Sequence, residues 1–121
     1  MDNLDFKSLR ETNTKRCESI FHPIDDWSPT DWACAMAGEA GETCNKVKKL
    51  KRITDNLKDY QNKPNMLELD IQALKYQISK ELADTIIYAD LLAARLGIDL
   101  GLAVKDKFNQ TSDEMNCEIR L

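Results

Sequence analysis

The 121-residue sequence has a single histidine, His22, and its four cysteines, Cys17, Cys34, Cys44 and Cys117, never fall in a C-x-x-C spacing. A zinc site draws on clustered cysteine and histidine ligands, and a di-iron bundle typically on a Glu-x-x-His from two helices, so this composition weighs against both. The cysteines read as free, mostly buried thiols. No apolar run reaches the roughly 18 residues of a membrane span, and the acidic N-terminus lacks the basic start and apolar stretch of a signal peptide. A cytoplasmic protein with no membrane partner is expected. Positive charge is also scarce, with 17 Lys and Arg against 21 Asp and Glu and a pI near 5.0, which argues against a polynucleotide partner. Repeats and low-complexity tracts are absent, and the length suits one domain, 1–121.

What the sequence does contain is helical periodicity. Residues 3–21 read as a first helix capped by Asn3, with Leu4, Leu9, Cys17, Ile20 and Phe21 on a loose apolar face. His22-Pro23 opens a linker to Trp27, because proline biases its predecessor away from helix. Ser28-Pro29-Thr30-Asp31 then starts a second helix, with serine as N-cap, proline at the first helical position and an acid at the third. On it Ala33, Met36, Ala40 and Val47 make an apolar stripe, and Glu39, Glu42, Lys46 and Lys49 a neighbouring polar one. Residues 48–63 read as a solvated arm continuing this helix to a break at Pro64, followed by a capping box at Asn65-Met66-Leu67-Glu68. Leu67, Ile71, Leu74, Ile78, Leu82, Ala89, Leu92, Ala93 and Leu96 then keep helical spacing up to Gly97. Beside them Gln77, Glu81, Asp84, Tyr88 and Arg95 form a polar stripe. Asp99 can cap a fourth helix carrying Leu100, Val104 and Phe108. The tail after Gln110 has no assigned structure, although Met115, Cys117, Ile119 and Leu121 could pack on a neighbour.

Two acidic couplets dominate this pattern, Glu39-Ala-Gly-Glu42 and Glu81-Leu-Ala-Asp84. Residues three apart on a helix point the same way, so each couplet offers two carboxylates from one face. The matching stripes predict an antiparallel helical hairpin that sets one couplet opposite the other. Four converging carboxylates repel unless a cation lies between them, and hard divalent cations take all-oxygen ligands. Glu39, Glu42, Glu81 and Asp84 are therefore the candidate ligands of Mg²⁺, with Mn²⁺ able to stand in. Gly38 and Gly41 flank the first couplet at a cost of about 0.5–1 kcal/mol each against alanine, a compromise that suits a functional site. The fold class is all-α, a helical bundle built from the long hairpin plus N- and C-terminal helices. One hairpin cannot bury both its faces, so completion by a homodimer or homotetramer is expected.

In order along the chain, Gly38-Glu39-Ala40-Gly41-Glu42 with Lys48-Lys49, Lys80-Glu81-Leu82-Ala83-Asp84 leading to Tyr88, Leu96-Gly97-Ile98-Asp99-Leu100, and Lys107-Phe108-Asn109 before Thr111 resemble the MazG-like, all-α nucleoside triphosphate pyrophosphohydrolases. The resemblance covers roughly residues 27–112. It implies hydrolysis of a (d)NTP to the monophosphate and pyrophosphate, with magnesium held by the four acids. It also implies a triphosphate contact from Lys107 and Asn109, and a place near the nucleotide for Tyr88. Thirty-eight residues, 43–80, separate the couplets, more than is usual there, which predicts lengthened helices or an added arm.

Triphosphate hydrolysis depends on electrostatics and in-line geometry. Glu39 and Glu42 are the candidates to orient the attacking water, Glu39 first. Lys46 and Lys49 are placed to meet the substrate's phosphates; Trp27, Trp32 and Tyr88 are the candidates to stack on its base, with Tyr88 the best placed and Trp32 read first as a core residue. Arg95 reads as an intrahelical partner for Asp90 or Asp99, and His22 as a surface residue. The alternatives are a catalytically silent helical-bundle adaptor, or a relative acting on another phosphate ester.

Overall fold

The computed structural model describes residues 3–121. The elements run α1 (Phe6–Arg16), a π-helical turn (Cys17–Phe21), a 3₁₀ turn (Ile24–Asp26), α2 (Pro29–Asp55), a second 3₁₀ turn (Leu57–Tyr60), α3 (Pro64–Arg95) and α4 (Leu100–Glu114), with no strand among the described residues. The all-α expectation holds. None of these helices is long and apolar enough to cross a membrane. The chain divides into two compact units, one of Met1–Trp32 with Ala89–Leu121 and one of Ala33–Tyr88.

In the first unit α1 starts later than the sequence suggested. Asp5, not Asn3, is the N-cap: its carboxylate accepts from the Ser8 backbone N–H at 2.7 Å, and the Ser8 hydroxyl closes the box. That bond draws the Asp5 pKa below the ordinary carboxylate value. Leu4, Ile20 and Phe21 are exposed, so the face that α1 covers is polar at its centre. Asn13 is buried there, donating from Nδ2 to the Asp90 carboxylate at 3.1 Å. Arg10 donates from Nε to the same carboxylate at 2.9 Å and from Nη2 to the Ile98 carbonyl at 2.9 Å. Asp90 is only 1% exposed, and these partners offset the desolvation of its charge. The Arg95 expectation fails as a result. Asp90 is taken by Arg10 and Asp99 caps α4, so Arg95 instead reaches the Trp27 carbonyl at 2.9 Å and Asp25 at 3.7 Å.

The helix ends in this unit follow local chemistry. Ser28 and Asp31 bond reciprocally at the start of α2, as the sequence indicated. Gly97, at φ +68°, closes α3: Ile98 N–H bonds the Ala93 carbonyl at 2.8 Å and Gly97 N–H the Ala94 carbonyl at 3.1 Å, a Schellman motif. Asp99 then caps α4 through the Leu102 N–H at 3.0 Å. α4 runs on to Glu114, and Asn116, at φ +54°, ends it in the same way. The tail has a fixed path. The Ser112 hydroxyl donates to the Ile119 carbonyl at 2.6 Å, and Arg120 pairs with Asp113.

In the second unit α2 stops at Asp55 rather than continuing to Pro64. Asn56 turns its amide back onto the Arg52 carbonyl at 2.7 Å, and the chain passes through the Leu57–Tyr60 turn and Asn62 at φ +63°. Pro64 begins α3 instead of breaking a helix, since a proline at the first position gives up no needed N–H. The Asn65–Glu68 box does not form; Glu68 accepts from the Gln72 side chain at 3.2 Å. α2 spans 27 residues and α3 spans 32, so the wide separation of the couplets is absorbed mainly by helix.

The covered side of each of these helices also departs from the expected stripe. On α2 a line of half-buried positions runs through Met36, Glu39, Thr43, Lys46, Leu50 and Ile53, with Ala33 and Ala35 also half-buried before it; on α3 one runs through Leu67, Ile71, Leu74, Ile78, Glu81, Thr85 and Tyr88, with Ile87 half-buried beside it. The steps alternate three and four, a heptad line. Continued from Ile78, that line lands on Glu81, not Leu82. Leu82 and Ile86 are left 52% and 51% exposed, and Ala40 and Val47 are exposed on α2.

Candidate metal centre

The heptad line explains how acids reach the covered side of the second unit. Glu39 and Glu81 lie on that half-buried line, and Asp84 follows Glu81 by one turn. One carboxylate oxygen from each of Glu39, Glu81 and Asp84 lies within 4.8 Å of the others. Glu39 and Glu81 are half-buried and Asp84 is exposed, so the cluster opens to solvent on the Asp84 side. The adjoining Glu81 carboxyl, partial burial and the charges of Asp84, Glu81 and Glu42 push the Glu39 pKa above the ordinary value of 4.5.

Glu42, the fourth acid, is exposed and is not among the three whose oxygens converge, although its charge is felt at Glu39. Two threonines flank the cluster unforeseen. Thr43 donates to the Glu39 carbonyl at 3.0 Å and Thr85 to the Glu81 carbonyl at 2.8 Å, each reaching back one turn. The sequence held the signal for this pair, because Glu39-Ala-Gly-Glu42-Thr43 and Glu81-Leu-Ala-Asp84-Thr85 repeat the order Glu-x-x-acid-Thr.

An all-oxygen set of three carboxylates, open on one side, fits a hard divalent cation that keeps some of its waters. Lys46 lies on the same half-buried line of α2 as Glu39, and Lys49 is exposed; Tyr88 is half-buried one turn beyond Asp84. These candidates belong to the acidic cluster's own unit.

The others belong to the first unit. Trp32 is fully buried and its indole N–H donates to the Ile24 carbonyl at 3.0 Å, a core position. Trp27 is half-buried with its ring 4.6 Å from Trp32 and 4.6 Å from His22. His22 is a correction: it is not on the surface but packed among Phe21, Trp27 and Trp32. Its Nδ1 lies 2.8 Å from the Pro23 carbonyl, which requires the proton there. Lys107 is exposed beside an open, largely apolar cavity of about 670 Å³ between α4 and the tail. The Asn109 side chain is engaged with Leu121, accepting from its N–H at 2.9 Å and donating to its carbonyl at 3.3 Å. The cysteine expectation is only partly met. Cys17 is buried, Cys117 intermediate, and Cys34 and Cys44 are exposed.

Comparison of the chain with protein-family models, with curated proteins and with solved structures finds no match.

Proposed function

We propose that the chain is a Mg²⁺-dependent nucleotide pyrophosphohydrolase that converts a (d)NTP to the monophosphate and pyrophosphate in the cytoplasm, in the manner of the MazG-like enzymes its motifs resemble. The observation that carries the reading is the convergence of Glu39, Glu81 and Asp84 oxygens within 4.8 Å, on two helices whose sequence order matches that resemblance. Glu39, Glu81 and Asp84 would hold the cation, with Glu42 reached through water. A bound magnesium ion would neutralise phosphate charge and acidify a coordinated water. Glu39, whose pKa is raised above the ordinary carboxylate value by its acidic neighbours, is the residue to accept a proton from the attacking water. Lys46, on the line of Glu39, would meet the phosphates, and Tyr88 the base.

In this reading α2 and α3 pack antiparallel as a hairpin. A second copy covers the exposed face that carries Leu82 and Ile86, because apolar side chains in such a line are stabilised by a partner. A homodimer, or a dimer of dimers, completes the bundle.

The test is incubation with each common dNTP and NTP plus Mg²⁺, resolving monophosphate and pyrophosphate, for the native chain and for Glu81→Gln. Pyrophosphate release by the native chain that Glu81→Gln abolishes is the expected result. No turnover with any triphosphate, or turnover unchanged in the variant, would sink the reading. A silent adaptor would in addition show no thermal stabilisation by magnesium with a non-hydrolysable triphosphate.

A further inference from the structure

The charge of this chain is unevenly distributed. Residues 46–63 carry seven cations, Lys46, Lys48, Lys49, Lys51, Arg52, Lys58 and Lys63, against only Asp55 and Asp59, so the segment is +5 in a chain of net −4. The remaining residues therefore sum to −9. Of the seven cations only Lys46 is on the half-buried line of α2; the other six are exposed. Among the described residues, the only ion pair within the segment is Lys51 with Asp55, at 3.0 Å. Lys48, Lys49 and Arg52 fall within about 100° of helical arc on the side away from Met36, Glu39, Thr43 and Lys46. They present a basic face beginning about 14 Å along α2 from Glu39 of the acidic cluster, at about 1.5 Å rise per residue.

A triphosphate approaching the acidic cluster meets repulsion from its carboxylates. The most strongly net-positive segment, +5 against +3 for α1 with Lys7, Arg10, Lys15 and Arg16 against Glu11, lies in the unit that holds the cluster and leads along α2 toward it. Fields of this kind raise the local concentration of an oppositely charged ligand and its on-rate, by a factor that falls steeply with ionic strength. We infer that the basic arm of residues 46–63 is an electrostatic capture surface for the polyphosphate part of the substrate, drawing it along α2 to the carboxylate cluster. This rests on the pyrophosphohydrolase reading of that cluster. The arm's cations outside Lys46 and Lys49 act on encounter rather than on the chemical step, so their removal lowers kcat/KM and leaves kcat in place.

The experiment compares the native chain with Lys48→Gln/Arg52→Gln/Lys58→Gln, and with the charge-preserving Lys48→Arg/Arg52→Lys/Lys58→Arg, in steady-state hydrolysis from low to physiological ionic strength. The neutralised variant is expected to lose about tenfold in kcat/KM near 10 mM ionic strength and less than about twofold at 0.15 M, with kcat unchanged and the charge-preserving variant matching the native chain. Equal kcat/KM with equal salt dependence in all three proteins overturns the inference. So does retention of a labelled single-stranded oligonucleotide by the native chain and not by the neutralised variant, with triphosphate kinetics identical, because the surface then serves a nucleic acid. If no protein hydrolyses any triphosphate, the underlying reading fails. Titration with magnesium tripolyphosphate then decides the arm by itself: several-fold weaker binding to the neutralised variant at low salt supports the capture surface, and equal binding removes it.

Discussion

One carboxylate oxygen of Glu39 on α2 lies within 4.8 Å of one of Glu81 on α3, with one of Asp84 in the same group. Ionised carboxylates this close repel unless a proton or a cation lies between them, and the energetic consequence of that choice can be measured.

Magnesium is expected to stabilise the chain without any nucleotide. A cation that binds the folded state alone stabilises it by RT ln(1 + [L]/Kd), about 2.7 kcal/mol at a hundredfold excess over Kd. Thermal denaturation with and without Mg²⁺ should show a rise of several degrees, lost in Glu81→Gln and in Glu39→Gln. Glu42→Gln should keep a larger part of it, since Glu42 lies outside the converging trio. Identical melting temperatures with and without the metal would rule out a cation site.

In the metal-free chain, stability should fall as pH rises above 4.5. The adjoining Glu81 carboxyl, then burial and the neighbouring charges, raise the Glu39 pKa above its ordinary value of 4.5. The folded chain therefore keeps that proton to a higher pH than the unfolded chain. Its contribution is fully present below the unfolded value and is lost as pH rises through the folded one. Urea titrations across this window should give a slope for the native chain that is reduced in Glu39→Gln. Proton and metal compete for the same oxygens, so apparent Mg²⁺ affinity should rise with pH over the same range.

Replacing Asp90 by alanine should destabilise the fold by about 3–5 kcal/mol, because it leaves the Arg10 guanidinium and the Asn13 amide without their common partner. Asp25→Ala removes only an exposed partner of Arg95 at 3.7 Å and should cost less than about 1 kcal/mol. Equilibrium urea unfolding distinguishes the two, and comparable losses would show that the buried network does not carry the weight its burial implies.

Trp32→Ala should act on stability rather than on substrate affinity. The indole is fully buried and its N–H bonds the Ile24 carbonyl, so the loss should be about 3–5 kcal/mol. A variant that stays as stable as the native chain while KM rises would return Trp32 to base stacking.

Much of the local structure was legible in the sequence because it depends on neighbours a turn apart. Ser28-Pro29-Thr30-Asp31 starts α2, Gly97 ends α3 and Asp99 caps α4, each through bonds spanning no more than five residues. Asn56 was the local feature missed, with an amide that competes for the backbone and ends α2 eight residues before Pro64. The couplets were legible as spacing, and their relation to the covered side was not. A 3.6-residue wheel put Glu39 and Glu81 beside the apolar stripe, whereas the 3-4 line of half-buried positions on each helix runs through them.

By itself the sequence determined that the chain is helical, that α2 starts at Ser28-Pro29, that α3 ends at Gly97 and α4 starts at Asp99, and that four acids recur in two couplets. Only the tertiary structure decided that Glu39, Glu81 and Asp84 converge while Glu42 stays outside, that Asp90 is a buried anchor for Arg10 and Asn13, and that Trp32 belongs to the core. The division follows from range. Caps and periodicity are set by bonds within a turn or two, but which carboxylates meet depends on side chains dozens of residues apart sharing one seam, and that is a property of packing.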